Sequence, residues 1–343
     1  MAETTDNRQK ETQTVKIGIL GAGSWGMTLA SLYSAKENFS VSVYCRSVAK
    51  CQKLNTTRQM ETPRAVAISP QVVITSELGS VAACDYLIFA CTSQGLRDLC
   101  VALKSALPSG REAVLVSATK GLELGSDKRM SQIIEEVLPG YPVACLSGPN
   151  LASEVLSGLP TASVVASSDL TLAKSLQSVL SAPRFRVYAN DDLIGVELGG
   201  TLKNVIAIAA GACDGLSLGI NAKASLLTRG LAEMTRLAVK LGAKQSTMSG
   251  LAGMGDLFAT CGSPLSRNYR VGFELARGKS LAIILKELEE VAEGVPTACA
   301  VCELSKRLDL ELPIAEQVES TLKGISTPAG AIMALLARPL ASE

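Results

Sequence analysis

A strand, a glycine turn and a helix follow one another near the start of the chain, and this order constrains the fold more than any other feature. The apolar run Val15–Leu20 leads into Gly21-Ala22-Gly23-Ser24-Trp25-Gly26, and residues 27–36 have the pattern of a helix. A G-x-G-x-x-G turn between a strand and a helix is typical of dinucleotide-binding βαβ units. The sequence therefore predicts a dinucleotide site here; the alternative is a tight strand-to-helix turn that binds nothing.

Each glycine of this turn has its own expected role. Gly21 makes the tight turn, and Gly23 lets a pyrophosphate approach the backbone at the helix N-terminus. Gly26 lets the helix pack closely on the strand.

The end of the second predicted strand, residues 40–44, indicates the cofactor preference. An NAD-selective site commonly carries Asp or Glu about 20 residues past the glycines. Here Cys45, Arg46 and Ser47 stand at that place. Because no carboxylate repels a 2′-phosphate and the Arg46 guanidinium can bind it or stack on adenine, we expect NADP(H) to be accepted and preferred over NAD(H). The alternative is a solvated surface arginine.

Further short apolar runs alternate with helical patterns up to about residue 190. Strands are predicted at 72–75, 86–90, 113–117, 143–146, Thr161–Ala166 and 185–188, and helices at 96–107, 130–138 and Leu170–Leu180. This alternation predicts an α/β fold with an open, mostly parallel, doubly wound sheet of the Rossmann type. Aromatic residues are only 3% of the chain, so the core must be built from Ala, Val, Leu and Ile, which suits helices packed on a parallel sheet.

Ligands of such a sheet bind beyond the carboxyl ends of its strands. Small polar segments with a glycine or a lysine are expected to line that edge. They are Cys91-Thr92-Ser93-Gln94, Ser117-Ala118-Thr119-Lys120-Gly121 and Ser147-Gly148-Pro149-Asn150.

The patterns divide the chain into a tail and two domains. Residues 1–14 are polar and predict a disordered tail, and 15–189 form the dinucleotide-binding domain. After Asn190-Asp191-Asp192, a helix-capping sequence, strand patterns stop, so 190–343 predict an all-α substrate and catalytic domain. No long linker separates the halves, so we expect them to pack tightly together.

Charge and cysteine content exclude several kinds of partner and site. A net charge of +1 provides no basic excess for nucleic acid or an anionic membrane, and no apolar run approaches the roughly 18 residues of a membrane span. No secretory signal is expected at the N-terminus.

The ten cysteines have apolar neighbours, which favours a reducing cytoplasm. Cys299 and Cys302 form a C-x-x-C without a second pair, so we expect two small apolar residues on one helix face and no metal.

The chain contains no histidine, and this constrains the mechanism more than any motif does. A Ser-His-Asp triad, a Cys-His pair and a histidine general base are all excluded. Any acid–base chemistry therefore falls to Lys, Asp, Glu, Tyr or Cys.

A lysine and an amide open an apolar run in the helical half. Lys203 and Asn204 follow Gly199 and Gly200 and precede residues 205–210. Each glycine costs about 1 kcal/mol against alanine in a helix interior. We therefore expect the two glycines to make room for something that approaches the backbone, on this interpretation the substrate and the cofactor.

Two later segments bring polar groups together. A glycine-rich turn at 250–255 leads into Asp256 and Thr260, which are four residues apart and so point to one face of a helix. Ser266 is a good N-cap, which places free backbone N–H groups and Arg267 at a helix N-terminus, a ready phosphate site. The alternatives are a simple turn aspartate and a surface arginine beside a capping serine.

Lys120 and Lys203 are the expected pair at the reacting centre. If the dinucleotide predicted at the glycine turn exchanges a hydride with an alcohol or a ketone, the oxidation needs a base on the hydroxyl and the reduction needs an acid on the ketone, and without histidine a lysine is the natural candidate. Two lysines in one partly buried site repel, and burial also disfavours the charged form, so both effects lower a lysine pKa. We expect Asp256 to orient the active ammonium.

Six blocks carry these features in order, within a span from Val15 to about Ala298. They are Gly21-x-Gly23-x-Trp25-Gly26, Thr119-Lys120-Gly121, Ser147-Gly148-Pro149-Asn150-x-Ala152-x-Glu154-Val155, Glu197-Leu198-x-Gly200-x-Leu202-Lys203-Asn204, Gly253-x-Gly255-Asp256-Leu257 and Ser266-Arg267-Asn268. Together they make the chain resemble the bacterial-type NAD(P)-dependent glycerol-3-phosphate dehydrogenases.

This resemblance implies a reaction and a set of site residues. The reaction is the interconversion of sn-glycerol 3-phosphate and dihydroxyacetone phosphate, which supplies glycerol 3-phosphate for phospholipid synthesis, in a cytoplasmic homodimer. Lys203 would be the proton acceptor or donor, with Lys120 and Asp256 beside it. The residues implied at the substrate are Lys120, Gly148, Asn150, Lys203, Asn204, Asp256, Thr260, Ser266, Arg267 and Asn268. Those implied at the cofactor, with the glycines of the turn, are Ser24, Trp25, Arg46, Lys120, Ala152, Arg267, Val291 and Glu293.

One position departs from the family pattern. The family usually has Ser or Thr after Gly-Pro, where this chain has Asn150. The amide can still reach a hydroxyl or a phosphate, so the partner of Asn150 is left open.

Two other functions fit part of the sequence. An NADP-dependent reductase of another small phosphorylated or keto substrate shares the architecture, although the lack of histidine disfavours hydroxyacyl-CoA dehydrogenases and the lack of a well-placed nucleophilic cysteine disfavours the UDP-sugar type. A non-catalytic nucleotide sensor would use the glycine turn but has no need for Lys120, Lys203 and Asp256 together.

Overall fold

The computed structural model describes residues 14–62, 64–110, 112–288 and 291–338. The predicted tail, apart from Thr14, lies outside the described residues. The strands are β1 Val15–Leu20, β2 Phe39–Tyr44, β3 Gln59–Met60, β4 Val66–Ala67, β5 Val73–Thr75, β6 Tyr86–Phe89, β7 Val114–Ser117, β8 Val143–Ser147, β9 Thr161–Ala166 and β10 Phe185–Asn190.

Eight of these strands form one sheet in the order β10-β9-β8-β7-β6-β1-β2-β5, and β3 pairs with β4 separately. Every neighbouring pair in the large sheet is parallel except β8 and β9, which run antiparallel. The prediction of an open, mostly parallel α/β sheet is confirmed. The central strands β1, β6, β7 and β8 are buried on both faces over most of their length, because helices cover the sheet on each side.

The chain reverses direction across the sheet at β1. From β1 it runs outward through β2 to β5, and it then returns to β6 on the other side of β1. Such a switch point leaves a crevice beyond the carboxyl ends of the two central strands, where α/β proteins bind ligands. The glycine turn after Leu20 and the polar segment after Phe89 therefore lie side by side.

The helices that accompany the sheet agree with the predicted positions to within a few residues, with some additions. They are α1 Ser24–Ser34, α2 Val48–Thr57, α3 Leu78–Ala82, a 3-10 turn Ser93–Gly95, α4 Leu96–Ala106, α5 Met130–Val137, α6 Ala152–Leu156 and α7 Leu170–Leu180. Helix α1 begins at Ser24 rather than at residue 27, because Gly23 is the extended N-cap and the last three residues of the glycine motif form the first helical turn.

After β10 the described residues form helices and connections without strands. The helices are α8 Leu193–Gly215, α9 Gly219–Lys240, α10 Gln245–Met248, a π-helix Leu251–Gly255, α11 Asp256–Cys261, α12 Arg267–Ala276, α13 Leu281–Glu287, α14 Gly294–Arg307, α15 Pro313–Leu322 and α16 Pro328–Leu336. Asp192 caps α8 as predicted, since its carboxylate accepts from the backbone N–H of Gly195 at 2.8 Å. The exact domain boundary at 189/190 stays a prediction.

Helix α8 is the central element of the helical half. Its 23 residues are long and apolar enough to cross a membrane by length and composition, but the helix is almost entirely buried inside the protein. The expectation that no apolar run approaches this length is therefore wrong. The reason is the density of Gly, Ala, Val and Ile along a helix that is surrounded by other helices.

Candidate active site

The glycine turn has the geometry that the sequence predicts for two of its glycines. Gly21 has φ +132°, and a Cβ there would lie 2.5 Å from the carbonyl oxygen of Ala90. A Cβ on Gly26 would lie 2.0 Å from the carbonyl oxygen of Gly21, so the helix could not pack this closely with any larger residue. At Gly23 a Cβ would meet no described atom within 4 Å, which leaves its backbone open to a ligand.

Three other predicted cofactor residues lie on α1, on the helix packed against it, or at the end of the neighbouring strand β2. Arg46 is exposed just beyond the carboxyl end of β2. Burial raises the pKa of the Cys91 thiol beyond β6 to about 11, and the charge of Arg46 acts weakly in the other direction. Trp25 is partly buried, with its ring centroid 6.4 Å from that of Phe185. Ala152 opens α6, which packs against α1. Their binding roles stay predictions.

Lys120 reaches the site from the end of β7. Its Nζ donates to the carbonyl oxygen of Gly148 at 3.0 Å and to Asp256 Oδ2 at 2.6 Å. Lys120 thus links the segment after β8, through Gly148, to the helical half, through Asp256.

Lys203 reaches the same carboxylate from α8. Its Nζ donates to Asp256 Oδ1 at 2.7 Å and to Thr260 Oγ1 at 2.6 Å. The Thr260 hydroxyl also donates to Asp256 Oδ1 at 3.3 Å, which confirms that residues 256 and 260 share one helix face. Asp256 is 1% exposed, so a single buried carboxylate holds both lysines.

Asp256 is positioned by an unusual backbone segment. The predicted glycine-rich turn at 250–255 is instead the π-helix Leu251–Gly255, which leads without a break into α11. Single π turns inside helices are rare and are frequent at functional sites. Ala252 and Gly253 of this segment lie close to α8 at Gly199, and the helix that follows places Asp256 against Lys203.

Burial is the main cause of the lowered pKa of Lys203. Burial lowers the pKa of Lys203, the charge of Asp256 opposes this, and the charge of Lys120 adds to the lowering, so that the pKa of Lys203 is about 8. The predicted direction is confirmed. A lysine in this state exchanges protons near physiological pH, which an exposed lysine does not do.

The two glycines of α8 make room for protein atoms and not for a ligand, which corrects the prediction. A Cβ on Gly199 would lie 2.4 Å from the carbonyl oxygen of Ala252 in the π-helix. A Cβ on Gly200 would lie 2.2 Å from Ser147 Oγ and 3.3 Å from Lys120 Cδ. Ordinary packing therefore does require glycine here, because α8 touches both the π-helix and the sheet edge.

A second polar group lies one residue beyond Lys203. Asn268 Nδ2 donates to Asn204 Oδ1 at 2.9 Å, and Asn268 Oδ1 accepts from the backbone N–H of Gly294 at 2.9 Å. Ser266 caps α12 as predicted, since its hydroxyl accepts from the backbone N–H of Tyr269 at 3.2 Å. Arg267 follows at the first, exposed position of this helix.

Asn150 has a partner on only one side of its amide. Its Nδ2 donates to Ser163 Oγ at 3.0 Å, and that hydroxyl donates to the carbonyl oxygen of Ser147 at 2.9 Å. Asn150 Oδ1 and Ser147 Oγ are buried and have no hydrogen-bond partner among the described residues. The end of β8 and the residues after it therefore contain a buried hydroxyl and a buried amide oxygen without hydrogen-bond partners among the described residues, near the Gly148 carbonyl that Lys120 contacts.

Glu293 of the helical half is hydrogen-bonded to Ser93 of the sheet half. Its carboxylate accepts from the backbone N–H of Ser93 at 3.0 Å and from the Ser93 hydroxyl. Burial raises the pKa of Glu293, and the charge of Arg267 acts in the other direction. Val291 is exposed nearby in sequence. The sequence indicates the polar segment after β6 but does not single out Ser93, because a serine alone gives no sign of its partner. Its contact with Glu293 makes Ser93 an additional candidate for the site.

The structure brings half of the ten predicted substrate residues together where the ends of β7 and β8 meet α8 and α11, and it pairs Asn204 with Asn268 separately. Lys120, Gly148, Lys203, Asp256 and Thr260 form one bonded cluster. The cysteines of the C-x-x-C lie on α14, and no group of three or more Cys, Asp or Glu side chains in the described ranges is arranged to hold a metal.

Two family models match consecutive parts of the chain. The N-terminal model of the NAD-dependent glycerol-3-phosphate dehydrogenases matches residues 16–173, and the C-terminal model matches residues 192–333.

Individual relatives agree over nearly the whole length. A glycerol-3-phosphate dehydrogenase (NAD(P)+) of Nostoc sp. is 46% identical over 331 residues, which are 96% of this chain and 99% of the relative. A second, from Sphingopyxis alaskensis, is 42% identical over 334 residues, which are 96% of this chain and 98% of the relative. The crystal structure of a glycerol-3-phosphate dehydrogenase from Coxiella burnetii superposes with a TM-score of 0.89 at 34% identity, covering 95% of this chain and 99% of that one.

Proposed function

Since this chain belongs to the NAD-dependent glycerol-3-phosphate dehydrogenase family, we propose that Lys203 is the proton donor and acceptor of its reaction. The enzyme is an NAD(P)-dependent oxidoreductase that interconverts sn-glycerol 3-phosphate and dihydroxyacetone phosphate. The usual context of this reaction is the supply of glycerol 3-phosphate for phospholipids.

One observation carries the proposal: a buried lysine of lowered pKa shares its counter-ion with a second lysine at the edge of the sheet. An ammonium has three donors, and Lys203 uses two of them on Asp256 and Thr260, which leaves one N–H for the reacting oxygen. In reduction this N–H gives its proton to the ketone oxygen. In oxidation the neutral amine takes the proton of the secondary hydroxyl.

The glycine turn and its neighbours fit a dinucleotide. The open backbone at Gly23 and the positive φ at Gly21 provide a cradle at the N-terminus of α1, which favours the anionic pyrophosphate. We propose that the predicted cofactor residues, from Ser24 and Trp25 to Glu293, surround it. The nicotinamide, when bound, accepts or supplies the hydride.

Arg46 gives the first prediction, which concerns cofactor preference. We propose that NADPH is preferred over NADH, because an exposed guanidinium and no carboxylate stands at the end of β2. Arg46→Ala should raise the KM for NADPH about 10- to 100-fold, the value of a lost charged hydrogen bond, and change that for NADH much less. Initial rates with dihydroxyacetone phosphate and each reduced cofactor measure this.

Lys53→Ala is the matched control for Arg46, since Lys53 is an exposed cation on α2 that pairs with Glu61 at 2.8 Å. It should leave both KM values unchanged. A wild-type enzyme that strongly prefers NADH would contradict the proposal.

Arg267 gives the second prediction, which concerns the phosphate of the substrate. We propose that the N-terminus of α12 and the Arg267 guanidinium bind it together. Arg267→Ala should raise the KM for dihydroxyacetone phosphate about 10- to 100-fold with a smaller change in kcat. Unphosphorylated dihydroxyacetone should react poorly with both enzymes.

Arg277→Ala is the control, because Arg277 ends the same helix and lies over the Phe273 ring instead. If Arg267→Ala changed only the melting temperature, the arginine would be a surface residue beside a capping serine.

We also propose a cytoplasmic homodimer in which residues 15–189 bind the cofactor and residues 190–343 carry the substrate residues. The support is the resemblance to the family and, for the division, the end of the strands at Asn190. Light scattering of the purified protein gives the oligomeric mass.

A further inference from the structure

A second buried carboxylate on α8 binds the sheet half of the molecule. Glu197 Oε1 accepts from the backbone N–H of Ser131 at 2.8 Å, and Oε2 accepts from the Ser131 hydroxyl at 2.6 Å. The Arg129 guanidinium completes the set and also donates to the Ser131 hydroxyl at 2.8 Å. The side chains of Glu197 and Arg129 are only 5% and 14% exposed.

These donors stand at the N-terminus of α5, where backbone N–H groups lack partners inside the helix. A carboxylate is favoured there by the helix dipole as well as by hydrogen bonding. Glu197 therefore caps a helix of the other half of the chain, and this contact joins residues 66 positions apart.

The segment that ends at this cap is the one that carries Lys120. Residues 118–131 leave β7, and a bridge between Leu122 and Arg129 closes them into a compact turn. We refer to residues 118–131 as the strap. Glu123 and Lys128 are also joined inside it, through a backbone hydrogen bond of 3.0 Å. The strap has little freedom between Lys120 and the cap, because the bridge ties Leu122, two residues beyond Lys120, to Arg129 at the start of the cap.

The strap lies along α8 and contacts it at three positions. Lys120 passes Gly200 so closely that a Cβ on residue 200 would stand 3.3 Å from its Cδ. Leu122 is 1% exposed and belongs to the hydrophobic core of the helical half, together with Leu198 and Leu202. Ser131 and Arg129 are bonded to Glu197 at the third position. Of the three, the Glu197 contact is the one made by oriented hydrogen bonds.

We infer that Glu197 is a positioning residue, which sets the strap against α8 so that Lys120 and Lys203 meet at Asp256. The inference rests on the proposed role of Lys203. The Leu122 contact is apolar and lets neighbouring groups slide, whereas a carboxylate with three donors fixes both direction and distance. Displacement of the strap moves Lys120 away from Asp256, and misplacement by about 1 Å can cost about 100-fold in rate.

Glu197→Gln tests this inference, because it keeps the volume and one acceptor but replaces the other by a donor that faces Ser131 and Arg129. We expect kcat to fall about 10- to 100-fold in both directions, with the KM for the cofactor changed less than about threefold. The pH profile should move as well. Lys203 is faced by Asp256, Lys120, Thr260 and Cys261, and Lys120 lowers its pKa, so withdrawal of Lys120 should shift the kcat midpoint to higher pH.

Glu233→Gln is the matched control. Glu233 is also a buried glutamate on a helix of the same half, and its carboxylate caps α15 by accepting from the backbone N–H groups of Ile314 at 2.8 Å and Ala315 at 3.3 Å. It should lower the melting temperature like Glu197→Gln but leave kcat and its pH midpoint unchanged. Glu197→Gln that behaves like this control overturns the inference.

Ser131→Ala covers the case in which Glu197→Gln does not fold, since it removes only the hydroxyl donor. It should lower kcat about threefold with a shift of the pH midpoint in the same direction. A wild-type kcat and midpoint in Ser131→Ala would overturn the inference. Lys203→Ala, assayed in parallel, separates the two proposals: full turnover in that variant refutes the role of Lys203, whereas a wild-type Glu197→Gln beside an inactive Lys203→Ala refutes only the role of Glu197.

Discussion

Lys203→Ala is expected to lower kcat about 10²- to 10⁴-fold for both dihydroxyacetone phosphate reduction and glycerol 3-phosphate oxidation, the usual contribution of a general acid or base. The loss appears in both directions because one group serves as acid in one and as base in the other. The KM values should change less, because the substitution leaves Arg267 and the glycine turn, the proposed binding sites of the substrate phosphate and the cofactor, unchanged. Steady-state assays in each direction, followed at the nicotinamide absorbance, measure the effect.

The pH dependence distinguishes this role from mere substrate binding. Burial lowers the pKa of Lys203 to about 8, so the protonated acid dominates below that pH and the neutral base above it. The rate of reduction should fall, and that of oxidation should rise, as pH increases through about 8. Both limbs should disappear in Lys203→Ala.

Lys203→Arg is the informative companion variant. A guanidinium keeps the positive charge beside Asp256 but does not release its proton at working pH, so it cannot act as the base. Oxidation should be lost as in Lys203→Ala. An active Lys203→Arg enzyme with a normal pH profile would show that position 203 supplies charge alone.

Asp256→Asn is expected to have the second largest effect, which combines stability and activity. The substitution leaves Lys120 and Lys203 near each other without their shared counter-ion. Breaking a buried ion pair in this way costs about 3 to 5 kcal/mol in the free energy of unfolding. Denaturant titration of both proteins, with the cofactor absent, gives the difference.

The activity change in Asp256→Asn has a definite sign. Asp256 is the interaction that raises the pKa of Lys203 against burial, so its removal moves that pKa further down. At neutral pH less Lys203 is then protonated, and reduction should lose more rate than oxidation. The midpoint of the pH profile should move below about 8.

Asp214→Asn is the control for this substitution. Asp214 also joins two donors, Lys223 and Tyr269, at 2.6 Å each, but its side chain is 29% exposed. We expect a smaller loss of stability and an unchanged pH midpoint. Equal losses of unfolding free energy and equal shifts of the pH midpoint in the two variants would contradict the proposed role of Asp256 as the counter-ion of the lysine pair.

The sequence predicts the site best where a feature depends on residues that are close together in the chain. The glycine turn is read from six consecutive residues, and Gly21 and Gly26 have the predicted geometry. Lys203 stands out because a chain without histidine has few other bases, and the i to i+4 spacing places Asp256 and Thr260 on one face. These features need no knowledge of distant parts of the chain.

The features that the sequence does not reveal depend on contacts between distant segments. Gly199 and Gly200 signal a close approach, but the approaching atoms, in the π-helix and at Ser147, are known only from the fold. The bond between Ser93 and Glu293 joins positions 200 residues apart. Helix α2 was not predicted, because only Cys51 and Leu54 of its ten residues are buried and its apolar pattern is weak.

The position of Trp25 has a practical consequence for spectroscopy. It is the only tryptophan in the chain, and it lies in the first turn of α1, directly beside the cradle at Gly23. Its partly buried ring, next to Phe185, makes its emission sensitive to any change at the turn. Intrinsic fluorescence therefore provides a label-free signal for nucleotide binding in every variant above, including those that no longer turn over.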